Sequence, residues 1–280
     1  MDMSKLFKKT EEKDFITFPS TLETYAWYKP ILILIIAAIL SFVISFAILS
    51  IMRVDAKGTG IISFIYTAIT VILLIPSIFI GNKLIYKIPF STQIAPIRKW
   101  NWGIYIKSLI ITLIVYSVIG LYPMLTSGME ISNNLSITVL LLCIILPLFQ
   151  GFAEEYLCRG LLMQSFGSWF KIPIVAIILQ AAIFAIMHPY QIYALMGVLF
   201  IGIFYGLITW YGQGLEASSA MHAVNNIFSF LAIALNLQQG PGESNPTTFI
   251  MNLALVVIPT IIILVLDKFN LIGFEKPETD

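Results

Sequence analysis

The residues best suited to chemistry are the scarcest ones in this chain. The 280 residues include only two histidines, His188 and His222. Both lie in apolar stretches of near membrane-spanning length. A third such stretch holds a tandem acid pair in the run Gln150-Gly-Phe-Ala-Glu154-Glu155-Tyr-Leu-Cys-Arg159. An ionisable side chain inside hydrocarbon is costly and is by default a functional candidate. In an α-helix, residues four apart share a face. Glu155 and Arg159, Phe184 and His188, and His222 and Asn226 are all so spaced. Glu154 and Glu155 diverge by about 100° around a helix, so one carboxylate can face a bundle centre while the other pairs with Arg159.

Taken singly, each residue has a structural reading. A buried His is commonly a hydrogen-bonding strut, Glu155–Arg159 an ion pair, and Asn226 interhelical glue. Together, between Glu154 and Asn226, they assemble a polar site in an interior where other charges are nearly absent. One chemistry is amide hydrolysis. A carboxylate beside His188 takes a proton from water, while His222 and Asn226 donate to the oxyanion. A second version places zinc on His188, His222 and Glu154, a two-imidazole, one-carboxylate set. The helical H-E-x-x-H spacing that would specify such a site is absent. A rival class is ion- or proton-coupled transport, which also uses Glu/His relays. Transporters often repeat broken segments in matched halves, whereas here the polar residues fall only after Gln150. A third class is a non-catalytic peptide-binding or immunity protein.

The elements that must position these groups are helices. The chain is 59% hydrophobic and 11% charged, against about 45–50% and about 25% for soluble domains. The apolar residues fall in eight runs, at 31–52, 61–80, 104–124, 137–166, 172–188, 191–211, 216–236 and 248–266. The fold class expected is therefore an all-α, polytopic membrane bundle of about eight transmembrane helices. Its organisation is an amino-terminal tail over 1–30, one transmembrane domain over 31–266 with its core at 137–236, and a tail over 267–280. No cleavable leader is apparent. Cys143 and Cys158 share one apolar run and read as buried thiols. The net charge of +1 gives no reason to expect a nucleic-acid partner.

Lysine and arginine placement sets the expected orientation. Lys5, Lys8, Lys9, Lys13, Lys29, Lys83, Lys87, Arg98, Lys99, Lys171, Lys268 and Lys276 fall on one side of eight spans, and Arg53 and Lys57 on the other. Both termini are then cytoplasmic, and the composition suggests a prokaryotic plasma membrane. Trp27, Trp100, Trp102, Trp169 and Trp210 sit at the lysine-rich ends, as interfacial indoles should; Tyr122 and Tyr190 mark the opposite ends. Along the hairpin of the fourth and fifth runs, Glu154 lies about 18 Å and His188 about 24 Å from the turn, so the two groups share a similar depth.

These residues resemble a known family. Glu154-Glu155-Tyr-Leu-Cys-Arg159, Phe184-x-x-x-His188 and His222-x-x-x-Asn226 are similar, in order and spacing, to three motifs of the CPBP family. That family includes type II CAAX prenyl proteases and bacteriocin-processing or immunity (Abi) proteins. The resemblance spans about 149–230. It implies an intramembrane endopeptidase with Glu154 activating water and His188 assisting. His222 and Asn226 would stabilise the oxyanion, with Glu155 and Arg159 in support and Phe184 packing. It implies no obligatory cofactor if the enzyme is of the glutamate type, which the missing zinc motif favours, or zinc if it is a metalloprotease. The expected partners are the lipid bilayer and a membrane-associated peptide or protein, of prenylated CAAX or bacteriocin-like kind.

Overall fold

The computed structural model of the chain describes residues 3–10, 13–52, 61–121, 136–235 and 245–274. Within them the architecture is all helical, and each apolar run lies in helix, some of them in more than one piece. These are α1 (Lys29–Met52), α2 (Ile61–Ile72), α3 (Leu74–Ile85), the short α4 (Phe90–Ile94), α5 (Trp102–Val115), α6 (Ile137–Glu155), α7 (Gln164–Phe170), α8 (Pro173–Ile186), α9 (Ile192–Gly212), α10 (Glu216–Ala234) and α11 (Pro246–Lys268). The second run is interrupted at Leu73. Pro76 has no N–H to return to the Ile72 carbonyl, so the α-helical ladder loses a rung there. The long fourth run holds three pieces, because a π-helical stretch, Tyr156–Met163, joins α6 to α7.

Six helices among the described residues are long and apolar enough to cross a bilayer: Lys29–Ile48, Ile65–Ile85, Trp102–Gly120, Ile137–Phe170, Ile192–Gly212 and Pro246–Lys268. The protein is a multi-pass helical membrane bundle. Two of the eight expected spans depart from that standard. Helix α8 is apolar but only 14 residues long. Helix α10 forms as expected but carries Glu216, three serines, His222, Asn225 and Asn226, and it is sheltered by the other helices. Arg53, Lys57, Tyr122, Met124, Asn236 and Lys276 lie outside the described residues.

Helix α10 packs most extensively on α6 and also lies against α5 and α9, while α8 lies along α9. Gly151 explains the first contact. A Cβ there would come within 2.8 Å of the Ala223 backbone nitrogen, so only glycine lets α6 reach α10 beside His222. At the α8–α9 crossing, a Cβ on Gly202 would meet that of Ala181 at 2.7 Å. Small residues at helix crossings are how membrane helices gain close packing without a hydrophobic drive.

The lysine-rich connections gather at one end of the bundle. Thr10 N donates to the Lys171 carbonyl at 2.8 Å. The Trp169 indole donates to the Trp27 carbonyl at 2.9 Å, and Lys107 reaches the Ile272 carbonyl at 3.2 Å. Arg98 grips the Gly212 carbonyl and, through Nη2, the Glu216 carboxylate at 2.7 Å. The amino-terminal tail is not loose there: Phe15 and Ile16 are fully buried, and Phe15 N donates to Gln213 Oε1 at 2.7 Å. Trp210 departs from the interfacial expectation. It is fully buried, and its indole donates to Asp14 at 3.1 Å. Burial pushes the Asp14 carboxyl above its ordinary range. Both cysteines are free and buried.

Candidate active site

Glu154 and Glu155 close α6, and they meet His222 from α10. The His222 ring lies between the two carboxylates, with Nε2 at 3.0 Å from Glu154 Oε2 and Nδ1 at 2.7 Å from Glu155 Oε1. The same Glu155 oxygen accepts from Arg159 Nη1 at 2.7 Å. Glu155, Arg159 and His222 are essentially inaccessible, whereas the Glu154 side chain keeps 13% of its exposure. An ionised carboxylate only accepts, so an imidazolium satisfies both contacts. Two carboxylates with one imidazolium and one guanidinium are then neutral as a group, which reduces the penalty of burying each charge.

The π-helical stretch sets this geometry. A π-turn is a rare distortion that often falls at functional sites, and here it begins directly after Glu155. Arg159 uses the extra reach to donate through Nη2 to the Gly202 carbonyl on α9 at 3.0 Å. Gln180 of α8 donates to that carbonyl at 2.7 Å and to the Ile177 carbonyl at 2.9 Å. Phe184 and Tyr205 cover the guanidinium at 5.3 and 5.7 Å, and both rings also flank His222. Phe184 thus packs on both Arg159 and His222.

His188 differs from expectation in two ways. Helix α8 stops at Ile186, so His188 stands in the following turn. Pro189 explains the stop, because a proline disfavours helical backbone in the residue before it. Glu154 pairs with His222 and Gln150 rather than with His188. His188 Nδ1 lies 2.7 Å from the Phe184 carbonyl. A carbonyl only accepts, so Nδ1 carries the proton and Nε2 is left for other chemistry. His188 still lies within electrostatic reach of Glu154. Its ring packs on Tyr190 at 5.2 Å. Burial, reinforced by the Glu154 charge, pushes the Tyr190 hydroxyl up to about 12, so it remains a donor at the open rim of the site.

Asn226 lies one turn beyond His222 on the same face of α10. Its Oδ1 accepts from Asn225 Nδ2 at 3.0 Å, and Asn225 Oδ1 accepts from the Tyr116 hydroxyl at 3.0 Å. Gln150 Nε2 donates to Glu154 Oε1 at 3.0 Å. Sequence reasoning gave no site role to Gln150, Gln180, Tyr205, Tyr190, Asn225 or Tyr116. Gln150 stands four residues before Glu154, so its spacing alone could have found it. The rest depend on which helices adjoin.

Among the described residues, no three His, Cys, Asp or Glu side chains are grouped to hold a metal ion. In this arrangement both nitrogens of His222, one of the three residues expected for zinc with His188 and Glu154, face carboxylates.

A multi-pass helical bundle with a buried carboxylate–imidazole site is the class this geometry defines. Residues 135–228 match the family model described as type II CAAX prenyl endopeptidase Rce1-like. That stretch carries all three motifs. The chain is also similar to the uncharacterized protein YyaK of Bacillus subtilis (strain 168), with 29% identity over 166 residues. The alignment takes in 55% of this chain and 56% of that relative, so it spans little more than half of either. No solved structure gives a significant match.

Proposed function

We propose that the protein is an intramembrane endopeptidase that hydrolyses a peptide bond of a membrane-associated substrate without a metal ion. The observation that carries this reading is Glu154, held by His222 at 3.0 Å yet partly accessible, at the end of an otherwise sealed charge cluster. Glu154 accepts a proton from water, and the resulting hydroxide adds to the scissile carbonyl. The oxyanion takes donors from Asn226 Nδ2 and from His188 when Nε2 is protonated. Collapse expels the amine, which recovers the proton from Glu154. His222, foreseen as an oxyanion donor, instead orients Glu154, since both its nitrogens already serve carboxylates. Glu155 and Arg159 hold His222. The bonds that tie the lysine-rich connections together support placing both ends at the cytoplasmic face of a plasma membrane. The family match supports a CAAX-type, prenylated peptide as the first substrate to try.

The test uses full-length protein in detergent with a farnesylated CAAX-terminated peptide. Glu154→Gln should lower turnover by at least about 10²-fold, the usual contribution of a general base, while leaving the thermal unfolding midpoint near wild type. Treatment with 1,10-phenanthroline should leave wild-type turnover intact. Retained activity in Glu154→Gln would refute the base assignment. Stoichiometric zinc needed for turnover would restore the metal reading. Ion-coupled uptake by proteoliposomes without peptide cleavage would favour transport.

A further inference from the structure

An amide side chain can stabilise an oxyanion only if its NH2 end, not its oxygen, faces the reaction. For Asn226 nothing in the residue itself decides that orientation. A chain of two hydrogen bonds can. Tyr116 begins the π-helical stretch Tyr116–Leu121 that follows α5. It is buried, with its ring packed on Phe228 at 5.2 Å. Its hydroxyl lies 3.0 Å from Asn225 Oδ1, and Asn225 Nδ2 lies 3.0 Å from Asn226 Oδ1. The Asn225 backbone is fixed in the helix, and its carbonyl also accepts from Ser229 at 3.0 Å.

Polarity runs one way along this chain. A phenol that donates to Asn225 Oδ1 leaves Asn225 only its NH2 to present to Asn226. That NH2 requires an acceptor, so Asn226 must turn its oxygen toward Asn225 and its NH2 away from it. Without the hydroxyl, either end of the Asn225 amide can face Asn226, and the Asn226 amide loses its preference.

We propose that Tyr116, acting through Asn225, is a positioning residue that fixes the Asn226 amide with its NH2 toward the Glu154–His222 site. This deepens the endopeptidase reading and rests on it for the kinetic consequence, though not for the orientation itself. Tyr116→Phe removes one oxygen and keeps the packed ring.

Two measurements on full-length protein in detergent test it. With the farnesylated CAAX-terminated peptide, Asn226→Ala should lower kcat by about 10²-fold, as loss of one oxyanion donor does. Tyr116→Phe should lower kcat by about tenfold with KM unchanged, since a donor is misdirected rather than deleted. The double variant should be no slower than Asn226→Ala alone, because the two act through one group. The second measurement needs no turnover. In asparagine-selective 15N spectra, the Asn226 side-chain NH2 pair, assigned by its loss in Asn226→Ala, should shift or broaden in Tyr116→Phe. Additive losses in the double variant, or an unmoved Asn226 NH2 pair, would overturn the proposal. If wild type cleaves nothing, the endopeptidase reading fails while the spectra still decide the orientation.

Discussion

Helices α1 and α9 are both long, apolar and able to span a bilayer, yet the molecule uses them differently. Over Lys29–Ile48, 11% of the span is buried by protein; over Ile192–Gly212 the share is 44%. Ile39, Phe42 and Phe46 on α1 point outward at 57%, 72% and 62% exposure. On α9, Gly202, Tyr205 and Trp210 face α8, the charge cluster and the amino-terminal tail. The lesson is that hydropathy alone does not separate a helix that meets lipid from one that builds a site. Lipid tails are as apolar as leucine, so an outward residue gains little from its neighbours. An inward residue must match a backbone, a ring or a charge.

Substitutions can sharpen or break this contrast. The largest effect is expected at Glu155→Ala, which leaves Arg159 and His222 buried without their shared acceptor. Removing one partner of a buried ion pair costs about 3–5 kcal/mol, and detergent thermal unfolding should show the loss. A variant as stable as wild type would mean that water reaches the cluster. Next comes Gly151→Ala. The new methyl must push the Ala223 backbone away, at about 1–3 kcal/mol, and it should also cut turnover by separating Glu154 from His222. Unchanged turnover would break the link between that crossing and the site. The smallest effect belongs to Ile39→Ala on α1, within about 0.5 kcal/mol. A larger loss there would show that the outward face of α1 is covered by a partner.

The same contrast marks how far the chain could be read from its sequence. The helices were legible because each is a long apolar run, and the site residues because they break such runs at helical spacing. The Glu155–Arg159 pair followed from four-residue spacing alone. Depth along a hairpin, in contrast, paired Glu154 with His188, although His222 on a more distant helix is its partner. Depth constrains one coordinate, and the crossing of α6 and α10 decides the others. That crossing depends on Gly151, whose role appears only once Ala223 is known to lie opposite it. Pro189 was a readable signal that His188 would fall outside the helix. Helix α10 shows the limit of a composition rule: Glu216, Ser218, His222 and Asn225 find partners on neighbouring elements, so it need not be apolar enough to stand in lipid alone.

The seat of the amino-terminal tail has a consequence for biogenesis. Phe15 bonds to Gln213, Asp14 receives the Trp210 indole, and Ile16 occupies space that any side chain on Gly167 would claim. None of those partners exists when the ribosome has made only the first helix. Residues 14–16, translated before all of these partners, must therefore wait, unseated, until the site-bearing hairpins have been inserted. Docking of the tail then serves as a late clasp on a bundle whose membrane topology is already set.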